Sequence, residues 1–251
     1  MKRVLVLGTG IDRISFAEAV EHALVCMNER RGAYVVTPNS EIVLNARKNA
    51  ELRAALEAAD LSLPDSVGIQ FASRILGMPI KERIPGIDFA AALLSVLAEE
   101  GKSVFLLGGA EGVADRAAAA LRKDHPGLVI AGTENGFFPS GQERVLVDRI
   151  NAAAPDLLLV CLGTPKQELW MHRNAPFLRV GLMAGLGGAL DVFSGDVTRA
   201  PTRWRNCGLE WLYRALHEPK RLRRIAKLPL IVPAAIWKRI KGERESWQKG
   251  N

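Results

Sequence analysis

The chain has 251 residues, of which 48% are hydrophobic and 24% are charged, as in an ordinary globular protein. Its three cysteines are widely spaced and form no C-x-x-C pair, which favours free thiols in a reducing compartment over a disulfide framework. No apolar run reaches the roughly 18 residues that a membrane-spanning helix needs, so the composition predicts a cytoplasmic chain.

Charge is unevenly distributed along the chain. The net charge of +7 arises from residues 199–251, which hold 14 Lys and Arg against 4 Asp and Glu, together with four of the five tryptophans. A shift this sharp predicts a boundary, with one domain over residues 1–195 and a basic, tryptophan-rich appendage over residues 196–251. The appendage also fits an alternative class, a nucleic-acid-binding protein whose basic arm contacts phosphates.

The N-terminal segment predicts a strand and a helix. Arg3–Leu7 is typical of a first strand rather than of a signal peptide, and Ser15–Asn28 predicts an amphipathic helix. Between them, Gly8-Thr9-Gly10 begins a dinucleotide fingerprint, but Arg13 occupies the third glycine position. A nucleotide-dependent oxidoreductase is therefore a disfavoured alternative.

A second predicted strand, Ala33–Val36, runs directly into polar residues. Asn39 or Ser40 can cap the helix that follows, and such a turn needs no further role. Thr37 and Asn39 nonetheless bring hydrogen-bonding groups to the end of a strand, where open α/β sheets bind ligands.

Asp65 follows a short apolar run at Leu61–Leu63 and has two predicted roles. It could cap the helix predicted over Val67–Ile75, which is the commoner use of such an aspartate. Alternatively, a partly buried Asp65 could take a proton from a substrate hydroxyl as a general base.

Arg83 lies in a predicted loop that Gly86 turns. An arginine held there is either solvated or binds a phosphate or carboxylate, for which its planar guanidinium is suited. We expect Asp88 to cap the next helix, over Phe89–Glu99.

From residue 103 onward, predicted strands and helices alternate without interruption: Ser103–Leu107, Gly112–Lys123, Leu128–Ala131, Gly141–Ala153, Leu157–Leu162, Lys166–Asn174 and Arg179–Met183. This alternation predicts an α/β fold with a Rossmann-like, largely parallel sheet and helices on both faces. Gly108, Gly109, Thr133 and Gly136 follow strands, and glycines there let a backbone approach a nucleotide-sized ligand.

The buried strand Leu157–Leu162 leads into a turn in which Thr164 is the candidate N-cap. Lys166 and Gln167 then stand at the amino end of a helix, a position that favours anions. An ordinary strand-to-helix turn is the alternative interpretation.

Metal and hydrolase motifs are absent from the sequence. There is no Asp-x-Asp pair, the four histidines are scattered, and neither a P-loop nor a Gly-x-Ser-x-Gly motif occurs. We therefore expect no metal and no cofactor, and a departing diphosphate would need arginines and helix N-termini to neutralise it.

The appendage contains suitable arginines and an apolar segment. Arg214, Arg221 and Arg224 recur at spacings that can place them on one helical face. Leu228–Trp237 is apolar, contains a tryptophan and is followed by cations, which is typical of a segment in a membrane interface. Packing against its own domain or a subunit partner is the alternative.

Several motifs occur in order along most of the chain: Thr37-Pro38-Asn39, Pro64-Asp65, Glu82-Arg83, Leu107-Gly108-Gly109, Gly132-Thr133, Gly136-Phe137-Phe138, Gly163-Thr164-Pro165-Lys166-Gln167-Glu168, Arg199-Ala200-Pro201 and Gly208-Leu209-Glu210-Trp211-Leu212-Tyr213-Arg214. This combination resembles the WecG/TagA/CpsF glycosyltransferases. Ile87 after Gly86, and Thr164 where alanine is frequent, are minor departures from the family pattern.

The resemblance implies an inverting, metal-independent transfer of N-acetylmannosamine or its uronic acid from a UDP donor. The acceptor would be the 4-hydroxyl of N-acetylglucosamine on undecaprenyl diphosphate, in the biosynthesis of teichoic acid or another cell-surface polysaccharide. It also implies an enzyme at the anionic inner face of the bacterial membrane, with no nucleic-acid partner. The sequence leaves the oligomeric state open, a homo-oligomer included.

The resemblance also assigns roles to residues. Asp65 matches the catalytic base. Thr37, Asn39, Arg83 and Gln167 match substrate-binding positions of the pocket. Apart from the resemblance, the residue pattern predicts substrate binding at the glycine-rich strand ends: Gly108, Gly109, Thr133, Gly136 and Lys166. Arg214, Arg221 and Arg224 would contact diphosphate when the appendage closes over the site.

Overall fold

The computed structural model of the chain describes residues 2–29, 32–210, 212–213, 228–241 and 247–249. Its strands are β1 (Lys2–Val6), β2 (Thr9–Asp12), β3 (Ala33–Val36), β4 (Leu61–Ser62), β5 (Ser103–Gly108), β6 (Val129–Glu134), β7 (Leu157–Cys161), β8 (Leu182–Gly185) and β9 (Trp247–Lys249). Its α-helices are α1 (Phe16–Glu29), α2 (Ser40–Ala46), α3 (Ala50–Glu57), α4 (Val67–Ile75), α5 (Gly86–Glu99), α6 (Val113–Asp124), α7 (Glu143–Ala153), α8 (Lys166–Asn174), α9 (Ala189–Phe193), α10 (Thr202–Asn206) and α11 (Ile231–Ile240).

Six strands form one parallel sheet in the order β4-β3-β8-β7-β5-β6. Alternate residues of a strand point to opposite sides of the sheet, and in the central strands both sides are buried in helix-covered cores. In β7, Leu157 and Leu159 pack into one core with α1, α5 and α6, whereas Leu158 and Val160 pack into another with α3, α7 and α8. The predicted parallel sheet with helices on both faces is confirmed.

The first strand lies outside this sheet. β1 pairs antiparallel with β2 and with β9, so the N-terminal hairpin and residues near the C-terminus form a second, small sheet. Leu7 and Gly8 make the hairpin turn with positive φ angles of 53° and 88°. The glycines of the partial dinucleotide fingerprint therefore build a hairpin, and no strand-to-helix phosphate loop forms there.

A buried ion pair fixes the hairpin to the strand that precedes Asp65. Arg3 and Asp12 are 3.1 Å apart and almost fully buried, and Arg3 also donates to the Ala59 carbonyl. Asp12 in turn accepts from the Ser62 amide at 2.7 Å. Because Asp12 accepts from the last residue of β4, this pair orders the end of that strand. Removing either partner would leave a buried charge unpaired.

Two predicted helix caps and one predicted strand start need correction. α5 begins at Gly86 after the extended Pro85, so Asp88 lies inside the first turn and does not cap it. α8 begins at Lys166 after Pro165, with no side-chain cap, so Thr164 is not the N-cap. β8 begins at Leu182, later than the predicted Arg179, because the amide of Arg179 donates to the Asn151 side chain instead of a neighbouring strand.

The described part of the appendage contains the helices α10 and α11 and the strand β9, and it contacts the rest of the chain. α11 packs along α4 with Ile231 and Ala235 fully buried, and Arg239 donates to the Ile75 carbonyl. The alternative that the apolar segment packs on its own protein is therefore confirmed for the face of α11 that carries Ile231 and Ala235. The boundary at residue 195 stays a prediction. Among the described helices, none is both long enough and apolar enough to cross a membrane.

Candidate active site

Most of the predicted site residues that the structure describes lie along one rim, where the carboxyl ends of the parallel strands meet. Asp65 follows β4, Thr37 follows β3, and Gln167 follows β7. Gly109 follows β5, and Gly136 follows β6 at the far edge. Open α/β sheets bind ligands at this rim, and the structure divides the residues on it into two groups.

The first group surrounds a cavity of about 520 Å³ at the β3–β4 end of the rim. Thr37, Asn39, Asp65 and Arg83 all line this cavity, so the structure brings together four of the predicted residues. We call these four residues the cavity half of the rim. The volume lies within the range of small-molecule sites.

Thr37 and Asn39 are held by the local fold. The Thr37 hydroxyl donates to the Gly185 carbonyl at 2.9 Å, which ties the end of β3 to the end of β8. Asn39 is the N-cap of α2, as predicted, and its Oδ1 accepts from the amides of Glu41 and Ile42. The cap uses only Oδ1, so the Asn39 amide nitrogen takes no part in it.

Asp65 does not cap α4, because Ser66 does so through its hydroxyl, which accepts from the Ile69 amide at 3.3 Å. Instead, Asp65 Oδ1 accepts from the Gly86 amide at 3.3 Å, at the first residue of α5. The carboxylate is half-buried on the cavity surface. This placement agrees with the second predicted role, a base beside a substrate hydroxyl.

An ion pair and a hydrogen bond flank the turn at Gly86, whose amide donates to Asp65. Arg199 makes a bidentate pair with Asp88, at 2.5 and 2.8 Å, and Arg83 donates to the Arg205 carbonyl at 3.3 Å. Burial acts to raise the pKa of Asp88, but the hydrogen bonds and charge of Arg199 outweigh it, so this pKa lies below its ordinary value. Asp88 is therefore ionised at neutral pH.

The second group lies at the β5–β6 end and is built mainly from backbone. Gly108 and Gly109 have φ angles of 138° and 71°, and a Cβ at Gly108 would lie 2.2 Å from the Cys161 carbonyl oxygen. The Gly136 amide donates to Gly109, and the exposed Lys166 donates to the Gly136 carbonyl at 2.7 Å. The Thr133 hydroxyl donates to Asp115 at 2.5 Å.

We call Gly108, Gly109, Thr133, Gly136 and Lys166 the glycine half of the rim. None of the five lines the cavity. The structure thus brings them together with one another, but not with Asp65.

Gln167 lies between the two halves and is buried. Its Oε1 accepts from the Gly187 amide at 2.9 Å, and its Nε2 donates to Glu168 at 2.8 Å. It does not line the cavity, so its direct contact with substrate stays a prediction. Burial raises the pKa of Glu168 and favours its neutral form.

Arg214, Arg221 and Arg224 lie outside the described residues, and their predicted role stays a prediction. Sequence reasoning did not assign several cavity residues, namely Phe71, the segment Cys207–Glu210, and the start of α11 at Ile231. Phe71 follows Val67 by four residues and so shares its helix face, a spacing that was visible in the sequence. The other contacts depend on tertiary structure.

The sequence model of the Glycosyl transferase WecG/TagA/CpsF family matches residues 4–245. The chain belongs to this family. It is similar to a protein of Bacillus spizizenii (strain W23) named N-acetylglucosaminyldiphosphoundecaprenol N-acetyl-beta-D-mannosaminyltransferase, with 37% identity over 210 residues, 84% of this chain and 81% of the relative. A protein of the same name from Bacillus subtilis (strain 168) is 33% identical over 216 residues, 86% of this chain and 82% of the relative.

The chain is therefore a glycosyltransferase, as the resemblance implied. A WecG/TagA/CpsF enzyme needs a group that activates the acceptor hydroxyl and a site for the leaving group. The cavity half contains a carboxylate, Asp65, and the glycine half contains an exposed lysine, Lys166, which leaves their roles as predictions.

Proposed function

We propose that the enzyme transfers N-acetylmannosamine, or its uronic acid, from a UDP donor to the 4-hydroxyl of N-acetylglucosamine on undecaprenyl diphosphate. The observation that carries this proposal is the half-buried Asp65 in a cavity beside Thr37, Asn39 and Arg83. The names of the two Bacillus relatives support the sugar and the lipid-linked acceptor.

In this mechanism, the Asp65 carboxylate takes the proton from the acceptor hydroxyl. The hydroxyl oxygen then bonds to the anomeric carbon as the bond from that carbon to the UDP oxygen breaks. Attack opposite the leaving group inverts the anomeric configuration. The Gly86 amide fixes one carboxylate oxygen, which holds the base in one orientation for the transfer.

The UDP diphosphate is assigned to the glycine half. Gly109 is partly exposed, and the amino ends of α6 and α8 begin beside this part of the rim, a position that favours a phosphate. Lys166 adds a cation there. The proposed pyrophosphate partners include no metal ion. In our proposal the appendage arginines neutralise the remaining charge, and Arg83, in the cavity half, faces the diphosphate of the acceptor.

The acceptor is assigned to the cavity half, and it approaches from a membrane surface. The cavity has an apolar side formed by Phe71, Leu209 and the start of α11. On the opposite face of α11, Trp237 and Ile240 are 62% and 75% exposed, and Lys238, Arg239 and Lys241 lie close by in the sequence. An exposed apolar face flanked by cations suits an anionic bilayer, at the cytoplasmic face of the membrane.

The test is a transfer assay with a short-chain lipid-diphosphate acceptor and a panel of UDP-sugars, read by product mass and anomeric configuration. We expect one added N-acetylmannosamine or N-acetylmannosaminuronic acid in the inverted configuration, with activity unchanged by EDTA. A product with retained configuration, or activity abolished by EDTA and restored by a divalent cation, would overturn the mechanism. No transfer from any UDP-sugar would overturn the proposed function.

A further inference from the structure

One side of the cavity is formed by chain that follows the sheet. Residues Cys207–Glu210 line the cavity opposite the strand ends, and we call them the C-terminal wall. Within it, the amides of Cys207 and Gly208 donate to the carbonyls of Arg203 and Arg205, and the Leu209 amide donates to Trp204. The wall is thus ordered locally, but it needs separate contacts to hold it against the body.

Arg199 provides such a contact. Its guanidinium forms two parallel hydrogen bonds with Asp88, at 2.5 and 2.8 Å, and its Nε lies 3.8 Å from a Glu210 carboxylate oxygen. The Arg199 side chain is only 21% exposed. Arg199 therefore connects the first turn of α5 to Glu210, a residue of the C-terminal wall.

The same turn also orients the proposed base. Gly86, two residues before Asp88, donates its amide to Asp65, and Arg83 donates to the Arg205 carbonyl just before the wall. Residues 83–88 therefore contact the base on one side and are connected to the wall through Arg199 and Arg205 on the other. A shift of the wall would change the cavity at the place where a hydroxyl must meet Asp65.

We propose that Asp88 and Arg199 are a positioning pair for glycosyl transfer, which holds the C-terminal wall against the turn that orients Asp65. The pair is expected to act on the acceptor, because the wall lines the cavity to which we assign the acceptor, whereas the glycine half does not line it. This inference rests on the proposed function. A misplacement of about 1 Å at a reacting centre is enough to cost about a hundredfold in rate, so a remote pair can control turnover.

The chain offers a matched control pair. Arg116 and Asp196 also form two hydrogen bonds, at 3.2 and 2.5 Å, and they also join the segment after β8 to the body. Their side chains are 52% and 37% exposed, and neither lines the cavity. Breaking this pair removes a similar contact at a distance from Asp65.

The experiment compares Asp88→Asn and Arg199→Lys with Arg116→Gln in the full chain. Arg199→Lys keeps the charge but loses the two-pronged geometry of the guanidinium. We expect both cavity-side variants to lower kcat about tenfold and to raise the KM for the lipid acceptor, with the donor KM unchanged. Arg116→Gln should leave kcat and the acceptor KM within about twofold of wild type.

Hydrogen–deuterium exchange supplies a readout that does not depend on the substrate. The hydrogen-bonded amides of 207–209 should exchange about tenfold faster in Asp88→Asn, but not in Arg116→Gln. If exchange changes while no sugar is transferred by wild type, the proposed function fails and the positioning contact stands. The inference is overturned if kcat stays within about twofold in Asp88→Asn, or if Arg116→Gln lowers kcat equally.

Discussion

The two halves of the sheet rim present different chemical groups, side chains in the cavity half and mainly backbone in the glycine half. The cavity half offers side chains, with a carboxylate, a hydroxyl and a guanidinium on one surface, and part of its wall comes from the C-terminal part of the chain. The glycine half offers mainly backbone, with positive φ angles at Gly108 and Gly109 and one exposed lysine. Proton transfer needs a positioned side chain, whereas backbone N–H groups at a helix N-terminus can bind a diphosphate.

In the proposed reaction, this difference lets one rim serve two substrates. The acceptor requires a base, and Asp65 is in the cavity half. The donor requires charge neutralisation, and the amino ends of two helices lie beside the glycine half. Gln167 lies between them and holds the Gly187 amide, so it stabilises the backbone that joins the halves.

The largest expected effect is the loss of the base. Asp65→Asn should lower kcat by about 10²–10⁴, because a general base is worth that much, while the fold is retained. The measurement is kcat with saturating donor and acceptor. Asn49→Ala, which removes the cap of α3, serves as the stability control and should cost about 1 kcal/mol without lowering kcat. Near-wild-type turnover of Asp65→Asn would remove the base from the mechanism.

An intermediate effect is expected for membrane attachment through the exposed face of α11. The double variant Trp237→Ser, Ile240→Ser should weaken binding to vesicles that contain an anionic lipid by about 10–100-fold, because two apolar side chains no longer enter the interface. Vesicle flotation measures this binding. Phe177→Ser is the control, since Phe177 is 66% exposed but lies beyond α8, away from the cavity. Equal binding of the double variant and wild type would exclude α11 as the contact.

A smaller effect is expected in the glycine half. Lys166→Ala should raise the KM for the UDP-sugar about tenfold, the worth of one charge-assisted hydrogen bond, and should leave kcat within about threefold of wild type. Initial rates at varied donor concentration measure both constants. Lys123→Ala, at the far end of α6, should change neither. If Lys166→Ala altered the acceptor KM instead, the assignment of substrates to the two halves would be reversed.

Much of this arrangement was predictable from local sequence. Apolar runs followed by Thr37 or Lys166 predicted polar residues at strand ends, and parallel strands must bring those ends to one rim. The alternation of strands and helices predicted α8 over Lys166–Asn174, although Thr164 was wrongly expected to cap it.

The division into two halves was not predictable, because it depends on strand order. Asp65 and Gly109 follow β4 and β5, which are consecutive in the chain but separated by three strands in the sheet. The contact between Asp88 and Arg199 joins residues far apart in the chain, and neither residue type signals the other. Asp65 and Ser66 are equally good caps by residue type, so only the backbone could decide which one caps α4.

The central claim, that the base and the nucleotide site are separate, is tested most directly by calorimetric titration of UDP into Asp65→Asn and Lys166→Ala. Asp65→Asn should bind UDP with a Kd within about twofold of wild type despite its lost turnover, whereas Lys166→Ala should bind about tenfold more weakly. If Asp65→Asn lost UDP binding while Lys166→Ala kept it, the cavity half would be the nucleotide site and the account would be contradicted.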